Sequence, residues 1–126
     1  MKRVIIVEDD AMVGFVYKTS LKKEGFEVEV ATDGEAGVAR ILASSPDAVL
    51  LDLMLPKVSG IDLLKQIRAH PQAEKIPVMV FTNAYVPAMV NDALKAGATK
   101  VFNKSDVTPR VVIDSLKDAG CFAKET

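Results

Sequence analysis

The sequence predicts an α/β protein whose core is a five-stranded parallel sheet with helices on both faces. Five short apolar segments recur along the chain, and a segment with apolar residues at helical spacing follows each of them. Gly, Pro, Asp and Ser separate these segments, and such residues are typical of the turns between strands and helices. Because parallel neighbours need crossover connections of this kind, we expect right-handed strand–helix–strand units throughout.

The first half of the chain contains three of the predicted strands and two helices. The strands are predicted at Val4–Val7, Glu27–Ala31 and Ala48–Leu51, and the helices from Ala11 to about Glu24 and from about Glu35 to Ala43. Asp10 can cap the first helix and Gly25 can end it, because a short acceptor and a residue without a side chain suit those two positions. Ser44, Ser45 and Pro46 break the second helix before the third strand begins.

The second half repeats the alternation and ends in a helix. Helices are predicted from Gly60 to Ala69, from Pro87 to Ala96 and from Pro109 to about Ala119, with strands at Val78–Phe81 and about Thr99–Asn103. Ile61, Leu64 and Ile67 fall on one face of the third helix. A proline suits the first turn of the last two helices, and Thr108 can cap the final one.

We expect the strands to lie in the doubly wound, flavodoxin-like order 2-1-3-4-5. Strands one and three are then neighbours at the point where the winding reverses, and the carboxyl ends of all five strands meet at one edge. Glu8 and Asp9 follow strand one and Asp52 ends strand three, so three acids share a crevice. Thr82 ends strand four and Lys104 follows strand five, which brings a hydroxyl and an amine to the same edge.

Three carboxylates in one crevice repel one another unless they are protonated or bind a cation. An all-oxygen set with room for water suits Mg2+, which completes its shell with water and phosphate oxygens. Asp52 could then attack phosphorus and form an aspartyl phosphate, while Lys104 offsets the phosphoryl charge and Thr82 donates to a phosphoryl oxygen. Each residue also has a structural alternative, since the acids could cap the first helix, Lys104 could be a surface lysine and Thr82 a turn former.

Composition limits the classes of function. The chain has 126 residues, 49% of them hydrophobic, and a net charge of -1, which indicates a single domain over residues 1–126 with no basic cluster for nucleic acid. No apolar run reaches the roughly 18 residues of a membrane span. The lone Cys121 cannot form an internal disulfide and indicates an ordinary thiol in a reducing compartment. We therefore expect a cytoplasmic protein with no direct contact to nucleic acid or membrane.

The acid pair, the acid of the third strand, the hydroxyl of the fourth and the lysine after the fifth resemble, in combination, the receiver domain of bacterial two-component response regulators. The resemblance covers nearly the whole chain. It implies that Asp52 is the phosphoacceptor, that Thr82 is the switch hydroxyl and that Lys104 is the lysine that binds the phosphoryl group. It also implies an Mg2+ ion whose protein contacts are Asp9 directly, Glu8 through water, Asp52 and the main-chain carbonyl of Met54.

The resemblance further implies partners. The phosphodonor would be a histidine kinase or a histidine phosphotransfer protein, and a downstream protein would bind the face formed by helix 4, strand 5 and helix 5. The domain would not be an enzyme beyond its own phosphorylation and slow dephosphorylation. Its role would be to switch a protein-interaction surface.

Three positions depart from the usual pattern of that family. Asn83 replaces the small residue that commonly follows the switch threonine, and we expect it to narrow access to the phosphoryl group. Val101 occupies the place of a frequent Tyr or Phe, and the neighbouring Phe102 should face the opposite side of the sheet. Ser105 replaces the proline that commonly follows the lysine, so we expect a trans peptide bond after Lys104.

Two other classes of protein remain open at this point. One is a receiver-like interaction module that signals without phosphorylation, which the missing aromatic at Val101 favours and the complete set of site residues opposes. The other is a flavin or nucleotide carrier on the same topology, which needs a Gly/Ser/Thr-rich phosphate cradle after the first strand. Glu8, Asp9 and Asp10 stand there instead and would repel phosphate without a metal.

Overall fold

Strands and helices alternate along the whole of residues 2–120, which are the residues that the computed structural model describes. The elements are β1 (Arg3–Val7), α1 (Ala11–Lys23), β2 (Glu27–Ala31), α2 (Gly34–Ser44), β3 (Ala48–Asp52), α3 (Gly60–Arg68), β4 (Val78–Thr82), α4 (Pro87–Ala96), β5 (Lys100–Asn103) and α5 (Pro109–Asp118). All ten predicted elements are therefore present, with ends that differ by at most one residue. Cys121 lies outside the described residues.

The five strands form one parallel sheet in the order β2-β1-β3-β4-β5. β1 and β3 are adjacent, with Ile5 beside Val49, and β4 pairs with β3 on its other side, with Asp52 beside Phe81. This register brings the carboxyl ends of the strands to one edge. The predicted fold class and strand order are confirmed.

The sheet is buried on both faces, which explains the continuous apolar runs of the central strands. One face carries α1 and α5, whose buried residues include Leu21 and Leu116 and pack on Val4 and Ile6 of β1. The other face carries α2, α3 and α4. Successive residues of each strand pack against opposite helical layers. A shift of one residue in register would therefore move every side chain of a strand to the other layer.

Short polar side chains define where four of the five helices begin. The acceptors are the side-chain oxygens of Asp10, Asp33, Ser59 and Thr108, and each accepts a hydrogen bond from a backbone N–H in the first turn of its helix. α4 begins after Val86 without such a side-chain cap, and Ala93 is its only buried residue. α4 is therefore the helix with the fewest local restraints.

The buried stripe of α3 is wider than the predicted apolar face. Leu64 and Ile67 of that face are buried, and so is Leu63, which the predicted face does not include. Ile61 is only partly buried, because it lies at the groove between α3 and α4. The stripe that a helix buries is at least about 100° wide and takes adjacent positions such as 63 and 64, which a strict i, i+3 count leaves out.

Candidate metal-binding site

Polar or charged side chains stand at, or directly after, the carboxyl ends of four strands of the sheet. Glu8 follows β1, Asp52 and Thr82 are the last residues of β3 and β4, and Lys104 follows β5. Glu8, Asp52 and Thr82 are almost fully buried, although all three are polar. Burying polar groups is costly unless they find partners, so their placement here needs a chemical reason.

Three acids converge at this edge as the sequence predicts. One carboxylate oxygen from each of Glu8, Asp9 and Asp52 lies within 4.8 Å of the others. Asp9 is exposed, whereas the other two side chains are buried. The cluster therefore opens to solvent on the side of Asp9, where an ion can enter.

Lys104 is the only cation in contact with the acids among residues 2–120. Its ammonium nitrogen lies 2.8 Å from Glu8 Oε2 and 3.3 Å from Asp52 Oδ2. The Lys104 side chain is itself largely buried, and its ammonium also lies 5.5 Å from the centre of the Phe81 ring. One lysine thus offsets part of the charge of two carboxylates, which leaves a negative cluster.

Glu8 is the acid whose ionisation is most affected. Burial raises the pKa of the Glu8 carboxyl to about 7, an effect that nearby Lys104 and the Asp10 backbone N–H oppose and the charge of Asp52 reinforces. Glu8 Oε1 accepts a hydrogen bond from Asp10 N at 3.0 Å. Glu8 Oε2 is buried, and its close partner among the described residues is the Lys104 ammonium at 2.8 Å. A carboxylate oxygen has a second lone pair, so Oε2 could also accept from a metal-bound water.

The donor set fits a small divalent cation. All the available ligands are oxygens, one acid is solvent-facing, and the buried Glu8 Oε2 has unused acceptor capacity. Mg2+ prefers such a set, because it keeps several waters and takes few carboxylates from the protein. The three acids are therefore compatible with a bound divalent cation.

Two loops next to the cluster hold the Asp52 and Thr82 side chains. Met54 N donates to Asp52 Oδ1 at 3.2 Å, and Ala84 N donates to Thr82 Oγ1 at 3.0 Å. The Thr82 hydroxyl keeps its own proton for a further acceptor, because it accepts in this contact. Lys104 N donates to the Thr82 main-chain carbonyl at 3.0 Å, which ties the lysine to β4.

The structure shows where the three residues that depart from the family pattern lie, namely Asn83, Val101 and Ser105. Val101 packs on the α2–α4 side of the sheet and Phe102 on the α1–α5 side, so the expected opposite orientation is correct. No peptide bond in residues 2–120 is cis, and the bond between Lys104 and Ser105 is accordingly trans, as predicted. Ser105 Oγ donates to Asn83 Oδ1 at 3.4 Å, so two of the unusual residues contact each other.

Sequence reasoning missed one residue of the site. Phe81 is 2% exposed, lies below the Lys104 ammonium and contacts the Tyr17 ring with centroids 5.1 Å apart. Its position next to Thr82 and the alternation of β4 indicate the face on which it lies. They do not indicate that the ammonium of a residue on another strand reaches its ring.

The sequence and the fold have counterparts in known proteins. The family model described as "Response regulator receiver domain" matches residues 4–116 of the chain. The phosphate regulon transcriptional regulatory protein PhoB of Rhizobium meliloti is 30% identical over 112 residues, which are 89% of this chain and 49% of that protein. The sensory transduction protein RegX3 of Mycobacterium tuberculosis is 45% identical over 82 residues, which are 65% of this chain and 35% of that protein. The chain thus spans about a third to a half of these curated relatives.

Solved structures agree with the fold. A response regulator receiver domain protein (CheY-like) from Methanospirillum hungatei has a TM-score of 0.86 and 30% sequence identity, and the match covers 94% of this chain and 92% of that one. The chemotaxis response regulator CheY4 of Vibrio cholerae has a TM-score of 0.87 at 24% identity, over 94% and 98% of the two chains. At that identity the second likeness concerns the fold alone. Within residues 2–120, no helix has both the length and the apolar character needed to cross a bilayer.

Proposed function

Because this chain belongs to the response regulator receiver domain family of two-component systems, we propose that it accepts a phosphoryl group on Asp52 in an Mg2+-dependent reaction. One observation carries the proposal: the oxygens of Glu8, Asp9 and Asp52 converge within 4.8 Å beside the Lys104 ammonium. Acids that served only to cap a helix would not need contact with a largely buried lysine such as Lys104, which follows β5. A signalling role follows, since a covalent phosphoryl group is a reversible mark.

The metal would be bound by residues that differ in role. We assign Asp9 as the direct ligand because it is exposed at the open side of the cluster, and Glu8 as a ligand through water because its carboxylate is buried and already contacts Lys104. Asp52 and the main-chain carbonyl of Met54 complete the protein contacts. When bound, Mg2+ supplies positive charge that lowers the repulsion between Asp52 and an incoming phosphoryl group.

The chain's own groups then perform the transfer. A carboxylate oxygen of Asp52 forms a bond to phosphorus while the bond from phosphorus to the donor atom breaks, and the donor leaves with that electron pair. Met54 N–H keeps the carboxylate oriented through Oδ1. Lys104 moves its ammonium from Asp52 Oδ2 to a phosphoryl oxygen, and the Thr82 hydroxyl donates its free proton to another.

The partners follow from this chemistry. The donor is a histidine kinase or a histidine phosphotransfer protein, whose phosphorylated imidazole provides a good leaving group. The response is read by a downstream protein on the α4–β5–α5 face, where Leu94 of α4 and Val111 of α5 are exposed apolar side chains. We propose no direct contact with nucleic acid for residues 2–120, since the net charge of the chain is -1.

The decisive experiment is phosphorylation by a small donor. The parent, Asp52→Asn and the control Asp92→Asn, which changes an exposed acid of α4, are incubated with acetyl phosphate with and without Mg2+. We expect the parent and Asp92→Asn to gain the mass of one phosphoryl group only with Mg2+. Asp52→Asn should gain none, because an amide is a poor nucleophile. Equal phosphorylation of Asp52→Asn, or none of the folded parent, would reject the proposal.

A further inference from the structure

The loop of residues 53–59, between β3 and α3, is the part of the site with the most unusual backbone. It begins directly after Asp52, and its residue Met54 donates the N–H bond that orients Asp52 Oδ1 at 3.2 Å. Gly60 N donates to Leu53 O at 2.9 Å and closes the base of the loop. The shape of this loop therefore bears directly on the carboxylate and on the Met54 carbonyl.

The tip of the 53–59 loop is strained. Val58 N donates to Pro56 O at 2.9 Å, which closes a three-residue turn around Lys57. Lys57 has φ 70°, a left-handed value that is unfavourable for a residue with a side chain. A γ-turn of this sign is rare, and such strain persists only where the surroundings hold the backbone in place.

The support comes from the first turn of α2. Gly34 N donates to Pro56 O at 3.2 Å, so this carbonyl accepts two bonds, one from inside the loop and one from α2. Asp33 Oδ2 lies 3.8 Å from Lys57 Nζ, while Asp33 Oδ1 caps α2 by accepting from Ala36 N at 2.8 Å. The same two residues that begin α2 thus hold the strained tip.

The contact requires glycine for a steric reason. A Cβ atom on Gly34 would lie 1.9 Å from the Val58 carbonyl oxygen and 2.7 Å from the Val58 Cβ. Both are far below a van der Waals contact, and the nearer atom is backbone rather than the flexible end of a side chain. Any side chain at position 34 must therefore displace the 53–59 loop or α2 itself.

We propose that Gly34, supported by Asp33, is a positioning residue that holds the 53–59 loop in the shape required for metal binding and for orienting Asp52. The proposal rests on the function proposed above for Asp52 and the Met54 carbonyl. It assigns the Asp33–Gly34 turn a role beyond that of beginning α2. It makes the affinity for Mg2+ depend on a residue that does not bind the ion.

The test compares three glycine substitutions. Gly34→Ala crowds the loop, whereas Gly37→Ala in the same helix crowds only Val7 and Leu63 side chains at 2.9–3.1 Å. Gly14→Ala in α1 meets only a Val30 methyl group at 3.5 Å and serves as the neutral control. Asp33→Ala removes the cap and the Lys57 contact without adding an atom, so it tests the same support if Gly34→Ala folds poorly. The free energy of unfolding of each variant is measured first.

Two readouts follow, and one needs no metal. In metal-free protein, we expect the Met54 and Val58 amides of Gly34→Ala to exchange with solvent about tenfold faster or more, because local opening becomes easier. In calorimetric Mg2+ titrations, its dissociation constant should rise about fivefold or more, since a preorganised carbonyl is displaced. Asp33→Ala should also raise the amide exchange rates and the Mg2+ dissociation constant, but by smaller factors. Gly37→Ala and Gly14→Ala should leave both within about twofold.

The outcomes separate this inference from the proposed function. If Gly34→Ala and Asp33→Ala leave loop exchange and Mg2+ affinity within the range of Gly37→Ala, the positioning role is wrong. If Asp9→Ala binds Mg2+ as tightly as the parent, the proposed metal site is wrong, while loop exchange in the metal-free protein still decides the role of Gly34. Faster loop exchange with unchanged Mg2+ affinity in Gly34→Ala overturns the proposal as well.

Discussion

Met54 and Ala84 stand two residues after Asp52 and two after Thr82, and we expect their side chains to lie nearest the water that would hydrolyse an aspartyl phosphate on Asp52. Met54 is 61% exposed, and its N–H donates to Asp52 Oδ1. Hydrolysis needs a water held in line with the bond that breaks. Neither a thioether nor a methyl group can orient that water through a strong hydrogen bond.

We therefore predict slow self-dephosphorylation of the parent and faster decay in the double variant Met54→Asn/Ala84→Glu. Positioned acid–base and amide groups contribute factors of about 100 or more in such reactions, so a clear increase of about tenfold is expected here. The measurement is the decay of phosphorylated protein after the donor is removed, with Met12→Asn, another exposed methionine, as the control. Equal decay in parent and double variant would contradict the prediction.

The sequence predicts the identity of the site residues better than their contacts. Strand ends converge in any doubly wound sheet, so Glu8, Asp52 and Lys104 could be brought together by topology alone. It does not predict that Lys104 lies closer to Glu8 than to Asp52, at 2.8 Å and 3.3 Å. That choice depends on side-chain conformations, which follow from packing against Phe81 and not from residue order.

An ion-pair cluster centred on Glu24 joins α1 to α5, which lie on the same face of the sheet. Glu24 follows the last residue of α1 and accepts from Arg110 of α5, and Lys117 Nζ lies 3.4 Å from its Oε2. The Arg110 hydrogen bond lowers the pKa of the Glu24 carboxyl below its ordinary value of 4.5. A carboxyl group with a lowered pKa in the folded state stabilises that state only while it is ionised.

The pH dependence of this contribution has a defined sign. The stabilisation is fully present above pH 4.5 and is lost as the pH falls through the lowered pKa of Glu24. We expect Glu24→Gln to have a lower free energy of unfolding than the parent at pH 7 and no such deficit at pH 2.5. Urea denaturation at both pH values measures it, and high salt should reduce the difference at pH 7.

Glu74→Gln is the matched control, because Glu74 is exposed and forms no ion pair among residues 2–120. It should follow the parent at both pH values. A Glu24→Gln deficit that is as large at pH 2.5 as at pH 7 would mean that the side chain acts through packing and not through its charge.

At the level of elements, the sequence predicts the ends of a helix correctly where proline and glycine mark them. Both ends of α4 are predicted correctly, since Pro87 fixes its first turn and Gly97 ends it with φ 115°. The apolar face predicted for α3 is incomplete, because Leu63 is also buried and Ile61 is only partly buried. Helical spacing predicts a face but not how that face is divided between the sheet and adjacent helices.

Across the whole molecule, the helices differ in how much apolar surface they bury against the sheet. α5 buries Val112, Ile113 and Leu116 against the sheet, whereas α4 buries only Ala93. The sequence predicts the strand order because crossover handedness leaves few alternatives. It does not predict long-range backbone contacts such as Gly34 against Val58, which no local pattern encodes.

The weak burial of α4 predicts which segment changes when Asp52 is phosphorylated. Thr82 Oγ1 now accepts from Ala84 N at 3.0 Å and so restrains the segment that leads into α4. When the Thr82 hydroxyl turns to a phosphoryl oxygen, that bond is weakened and the helix with fewest restraints is released first. We expect amide exchange in residues 83–97 to change by about tenfold on phosphorylation, with α1 and α5 within about twofold.

Thr82 variants test whether the hydroxyl carries this change. With the protein kept phosphorylated by excess acetyl phosphate and Mg2+, Thr82→Ala should still be modified on Asp52 but should lose the exchange difference in residues 83–97. Thr82→Ser keeps the hydroxyl and should retain it, which separates the hydroxyl from the methyl group that packs in the core. Because Thr82 is fully buried, the unphosphorylated variants provide the reference for any loosening caused by the substitution alone. If phosphorylated Thr82→Ala differs from its own unphosphorylated form as much as the parent does, α4 responds to the phosphoryl group by another route.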